Sequence, residues 1–149
     1  MRNKYAVAAH VFLTNTEGDV LFMRRAKTGY ADGQWSVAAG HVEANETFVA
    51  CAVRELEEEA GVQLAPALLE PVLVQQKKDF DGEERVDVFF QAALPEGQTV
   101  VIGEPEKCDA IVWANPGNPP EQTVSYVEHA LRRWRSGNAL NLTYFGFDQ

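Results

Sequence analysis

Gly40-His41-Val42-Glu43-Ala44-Asn45-Glu46 opens a stretch that continues through Thr47-Phe48-Val49-Ala50-Cys51-Ala52-Val53 into Arg54-Glu55-Leu56-Glu57-Glu58-Glu59-Ala60-Gly61-Val62. The spacing predicts a helix over Thr47–Ala60. Phe48, Cys51, Ala52 and Leu56 recur at helical intervals, and Gly61 supplies the stop. Asn45 or Glu46, near its start, offers an acceptor for the free N–H groups of the first turn. On this helix Glu55, Glu58 and Glu59 stand at i, i+3 and i+4 and project from one face, while Glu57 turns away. Like charges at that spacing oppose helix formation unless a cation lies among them, and hard carboxylate oxygens suit Mg²⁺ or Mn²⁺ rather than zinc. A run of acids on a helix is more often a solvated face, so the context of the run decides its reading.

That context is a fixed spacing. Five residues separate Gly40 from Glu46, seven more separate Glu46 from Arg54-Glu55, and Leu56, Glu58-Glu59 and Gly61-Val62 close the segment. Position for position this resembles the Nudix box, G-x5-E-x7-R-E-U-x-E-E-x-G-U with U an apolar residue, and all nine fixed positions match. The resemblance implies an α/β fold, an α/β/α sandwich with a mixed β-sheet between helices. It also implies divalent-metal-dependent hydrolysis of a phosphoanhydride in a nucleoside diphosphate-linked substrate. Carried over to this sequence, Glu58 and Glu59 are the main metal ligands and Glu55 is a ligand or the general base. Backbone carbonyls of Ala39 or Gly40 complete the coordination, Arg54 orients a box carboxylate, and Glu46 closes the loop onto the helix.

Outside the box the resemblance is to MutT-like nucleoside triphosphate hydrolases. Arg24-Arg25-Ala26 makes Arg25 a phosphate-binding residue, and Glu104 or Glu106 in the late loop adds a metal ligand or base. Gln122 stands where related proteins often have an asparagine reading a base edge, which counts against guanine-type recognition. Val37-Ala38-Ala39-Gly40 also departs from the Pro-Gly-Gly of many relatives. The sequence lacks the extended motif of NADH-type members, the coenzyme A signature and the downstream proline of many ADP-ribose hydrolases. The resemblance therefore leads to a nucleoside triphosphate pyrophosphohydrolase releasing a nucleoside monophosphate and pyrophosphate. Its alternatives are a nucleoside diphosphate sugar or other nucleotide-derivative pyrophosphatase, and a nucleotide-sensing domain without turnover. A monomer or homodimer binding a small nucleotide is implied.

Working outward, Lys4–Leu13 and Val20–Arg25 read as strands joined by a Gly-Asp turn. Trp35–Ala38 is a short strand within a turn-rich loop. Leu68–Val74 and Arg85–Leu94 flank the turn Asp79–Glu83 and predict a hairpin. Val100–Ile102 and Ala110–Trp113 are short strand candidates. Thr123–Arg135 predicts a second helix with Val124, Val127, Ala130, Leu131 and Trp134 on its apolar face. Mixed strands with two helices indicate an α/β or α+β single domain over residues 1–149.

The chain has 149 residues, 46% of them hydrophobic, and a formal charge of −9. It can bury a sizeable core, and its acidity disfavours polymeric nucleic acid or an anionic membrane as partner. More than half of that charge sits in Gly40–Val62, which holds six glutamates and one arginine. Two cysteines, without zinc-type spacing, fit a reduced cytoplasmic setting. The run Ala6–Leu13 reads as a core strand rather than a secretory leader.

Overall fold

In the computed structural model, residues 1–136 and 140–147 are described. The strands are β1 (Ala6–Thr14), β2 (Val20–Arg25), β3 (Trp35–Ser36), β4 (Ala38–His41), β5 (Glu70–Lys78), β6 (Glu84–Ala93), β7 (Cys108–Ala114) and β8 (Asn141–Phe145). The helices are α1 (Phe48–Ala60) and α2 (Ser125–Ser136), with a single 3-10 turn at Pro66–Leu68. All eight strands join one sheet in the order β3-β2-β1-β6-β5-β8, with β4 added on β1 and β7 on β2. The sheet is mixed: β1 runs parallel to β6 from Ala6↔Arg85 to Thr14↔Ala93, whereas β5 and β6 form the predicted antiparallel hairpin.

The apolar runs in β1, β2 and β6 are nearly continuous because both faces of the sheet are covered. Ala9, Val11 and Leu13 of β1 pack with Val88, Phe90 and Ala92 of β6 against Cys51, Ala52, Leu56 and Ala60 of α1. Phe12 and Phe89 point the other way, into a second cluster with Val127, Ala130 and Leu131 of α2. The result is the expected layering of helix, mixed sheet and helix. Cys51 and Cys108 are free thiols, both buried. Among the described residues no helix is long and apolar enough to cross a membrane.

The boundaries of α1 follow from its caps. Thr47, not Asn45 or Glu46, is the N-cap, and its Oγ1 accepts from the Ala50 N–H at 3.0 Å. Asn45 instead adopts a left-handed conformation in the turn, with φ 64°. Phe48, read as core-facing, is exposed, since it precedes the turn that packs on the sheet. Gly61 ends the helix at φ 67°, its N–H donating to the Glu57 carbonyl.

Val100–Ile102 is not a strand. Its backbone serves α1: Val101 N–H donates to the Ala60 carbonyl at 3.0 Å and Gly103 N–H to the Glu59 carbonyl at 2.9 Å. Carbonyls that the helix end leaves free are satisfied by this loop instead of by solvent. A Cβ at Gly103 would run into the Glu58 carbonyl oxygen, so the loop must withdraw from α1 if one is added. Gly103→Ala is expected to lower stability by about 1–3 kcal/mol. Urea unfolding measures this, and an unchanged midpoint would mean the staple carries no stability.

β8 went unanticipated. It has one fully core-facing position, Thr143, and pairs in parallel with β5 from Leu73↔Asn141 to Lys77↔Phe145. Strand β5 also begins at Glu70 and runs to Lys78, later than expected, because Pro66 starts the 3-10 turn.

Candidate active site

α1 and β4 bring the box residues together. Glu55 is mostly enclosed, its side chain 13% exposed, and lies against Gly40, where any Cβ would overlap its carboxyl group. Here the glycine is required by the closeness of the carboxylate rather than by backbone conformation. Glu59 reaches back to the sheet, where its Oε1 accepts from the Ala39 N–H at 2.9 Å. Ala39 thus meets the glutamates through its N–H, and the Gly40 carbonyl accepts from the Cys51 thiol at 3.5 Å. Glu58 is the most exposed of the three. Glu57 points away, as its helical position requires.

Arg54 is the counter-ion of this patch. Its guanidinium forks onto Glu46, with Nε donating to Oε2 at 2.7 Å and Nη2 to Oε1 at 3.0 Å. Nη1 donates to Glu55 at 2.6 Å and, more weakly, to Glu58 at 3.4 Å. Nη2 also reaches the His41 carbonyl at 3.2 Å. One side chain therefore ties the loop Gly40–Glu46 to the acidic face of α1. The bidentate contact with Arg54 holds Glu46 down at about 2.

Around that anchor the acids are forced together. Burial, then the like charges of Glu55 and Glu104, pushes the Glu59 carboxyl up to about 8, although the Ala39 N–H opposes the shift. Glu55 is raised as well, by burial first, against the pull of Arg54. Glu57, Glu58 and Glu59 also lie near the negative end of the helix dipole, with no basic residue in the last turn. Apart from the Arg54 contacts and the Ala39 N–H, the patch opposes local stability, as functional sites commonly do.

The donors fit a hard divalent cation, being the carboxylate oxygens of Glu55, Glu58 and Glu59 without histidine or thiolate. Among the described residues no three acidic, imidazole or thiol groups already converge on one point. Arg54 Nη1 lies between Glu55 and Glu58, and Ala39 holds Glu59, so cation binding requires these side chains to turn.

The glutamates open onto a cleft of about 1220 Å³ that extends past β4 to the α2 side of the sheet. Arg25 lines it, with Nε donating to the Tyr30 carbonyl at 2.8 Å and the guanidinium over the Tyr30 ring. Arg24 pairs with Asp109 at 2.7 Å. Of the two late-loop acids, Glu104 reaches the cleft and Glu106 is exposed outside its lining. Gln122 also lies outside the lining. It occupies the turn before α2 at φ 63°, its carbonyl accepting from the Trp35 N–H. Sequence reasoning missed His10, Lys77 and Asp87, which also line the cleft. The available signal was a polar residue at an inward-facing position of an apolar strand.

A model of the NUDIX domain matches residues 4–133. The chain belongs to the NUDIX family. It is 34% identical over 112 residues to an isopentenyl-diphosphate delta-isomerase of Jannaschia sp. (strain CCS1), covering 71% of this chain and 61% of that protein. It is 30% identical over 105 residues to the NAD-capped RNA hydrolase NudC of Stutzerimonas stutzeri (strain A1501), covering 70% of this chain and 35% of that protein. The chain thus spans less than two thirds of either relative. A crystal structure of a MutT NUDIX hydrolase from Burkholderia pseudomallei superposes with a TM-score of 0.77 at 23% identity, over 88% of this chain and 98% of that one. This last likeness supports the NUDIX fold, and the box residues Glu46, Arg54, Glu55, Glu58 and Glu59 sit in its loop and first helix.

Proposed function

We propose that this NUDIX chain hydrolyses a nucleoside triphosphate, with Mg²⁺ or Mn²⁺ held by Glu55, Glu58 and Glu59, releasing a nucleoside monophosphate and pyrophosphate. The observation that carries this reading is the crowded carboxylate patch, anchored by Arg54 and opening onto a cleft that also holds Arg25. The relatives' names support its coarse form, since isopentenyl diphosphate and an NAD cap both contain a diphosphate.

A cation bound there neutralises phosphate charge and acts as a Lewis acid. The protein's own residues supply position. Arg54 fixes the angle of Glu55 and the loop beneath it. Glu55, enclosed and with a raised proton affinity, is suited to take the proton of the attacking water. Glu104 adds a further carboxylate to the lining of the cleft, and Arg25 pairs with a phosphate. Water adds to phosphorus and the phosphoanhydride P–O bond breaks, with the pyrophosphate leaving. Alignment and charge placement account for most of the rate.

The test is a screen of nucleoside triphosphates, nucleoside diphosphate sugars and isopentenyl diphosphate with Mg²⁺, analysed for every product. Pyrophosphate with a nucleoside monophosphate is the expected result. Turnover of sugar conjugates alone would shift the substrate class. Isomerised isopentenyl diphosphate without phosphate release, or nucleotide binding without turnover, would overturn the reading.

A further inference from the structure

Three buried polar side chains line the cleft together. His10 on β1, Asp87 on β6 and Lys77 on β5 are 2%, 1% and 5% exposed, and all line the cleft. Strand register brings them together, with Ala8 opposite Asp87 and Gln75 opposite Asp87 in the two neighbouring ladders. Lys77 Nζ lies 3.6 Å from Asp87 Oδ2 and 3.8 Å from Asp79 Oδ1, and sits 3.6 Å from the centre of the Tyr126 ring. His10 Nδ1 is 4.0 Å from Asp87 Oδ1, its ring stacked on Phe89.

None of these separations is a hydrogen bond. Asp87 Oδ2 and His10 Nδ1 are both buried without a partner in the protein. The three groups are paired by charge yet short of hydrogen bonds, which is costly for buried polar atoms. Three strands hold an acceptor, a cation and an imidazole slightly apart, on the wall of the cleft that the glutamates also line. Ser36, also buried, and Tyr30 and Phe80 complete the walls.

We propose that His10, Lys77 and Asp87 form a specificity pocket that takes the lactam edge of a heterocyclic base, an N–H beside a C=O. This rests on the nucleotide reading of the cleft. The Asp87 carboxylate, which only accepts, receives the ring N–H. The Lys77 ammonium, which only donates, binds the carbonyl oxygen, and His10 borders the pair. An amidine edge, as in adenine or cytosine, offers Lys77 a ring nitrogen with one in-plane lone pair. A carbonyl oxygen accepts over a broader range of directions.

The experiment compares kcat/KM of the full chain for inosine and uridine triphosphates with that for adenosine and cytidine triphosphates, and repeats it for Asp87→Asn and Lys77→Met. Wild type is expected to prefer the lactam bases by a few-fold, since an amidine edge also pairs a donor with Asp87 and an acceptor with Lys77 and differs only in the directions over which that acceptor is met. Asp87→Asn, which adds a donor, flattens or inverts the preference, and Lys77→Met reduces it. Equal losses for all four bases would overturn the pocket. In parallel, calorimetry measures binding of inosine and adenosine, without phosphate or metal, to wild type and Asp87→Asn. Inosine binding that is lost in Asp87→Asn upholds the pocket even if no nucleotide is hydrolysed, in which case only the hydrolase reading fails. Absence of both a base preference and nucleoside binding overturns the pocket. Should a single variant fail to fold, the charge-free pair Lys77→Met with Asp87→Leu gives the same comparison.

Discussion

Glu58→Gln is expected to lower metal-dependent turnover by about a thousandfold while leaving the protein folded. The two effects separate because of where Glu58 stands. Its side chain is half exposed and its one ion pair, to Arg54, is long at 3.4 Å. Removing its charge therefore costs little packing, and it relieves repulsion from Glu55 and the unfavourable end of the helix dipole. The melting temperature should hold or rise slightly. Glu57→Gln serves as the control: it removes the same charge from the same turn on the opposite face and should leave turnover unchanged. Equal losses from the two variants would show that overall acidity matters and not a site, and near-normal rates in Glu58→Gln would refute the cation site.

Glu59 governs the second large effect, the response of stability to pH. With its proton affinity raised to about 8, the folded protein holds a proton that the unfolded chain has released above about 4.3. Between those values the native state binds more protons than the unfolded state, so stability falls as pH rises. A metal-free melting temperature should drop by roughly 5–10 °C from pH 5 to pH 8. Mg²⁺, which favours the ionised carboxylate, should raise it far more at pH 8 than at pH 5. Glu59→Gln removes the titrating group, so this component of the slope should vanish. A metal-free melting temperature that is flat, or that climbs over this range, would show that Glu59 is ionised throughout.

The grouping of the candidate site was legible because Gly40–Val62 is one local unit: a turn, a helix and their fixed spacing place Glu46, Arg54, Glu55, Glu58 and Glu59 with little help from the rest of the chain. What was hidden depends on distant contacts. Val100–Ile102 has strand-like residues, yet its N–H groups are used by α1. Strand β8 carries Asn141 and Thr143 and exists through its pairing with β5. His10, Lys77 and Asp87 are far apart in sequence and become neighbours through the β1-β6-β5 order, which no local pattern announces. Gln122 and Glu106 show the converse, residues of suitable type at a suitable place in the chain that do not line the cleft.

The loop that closes α1 has a consequence for how this scaffold tolerates change. Glu104 lies between two fixed points: Val101 and Gly103 are pinned to the end of α1, and the Lys107 carbonyl is held by the Ala26 N–H at 2.9 Å. Insertions at the Glu96-Gly97 turn, outside the two hydrogen bonds that tie Gln98 to Gln63, would therefore lengthen the periphery without shifting the late-loop acid relative to Glu55 and Glu59. The molecule divides into a portion whose length is free and a clamp whose register is not. New specificities can be grafted on the former while the carboxylates keep their spacing.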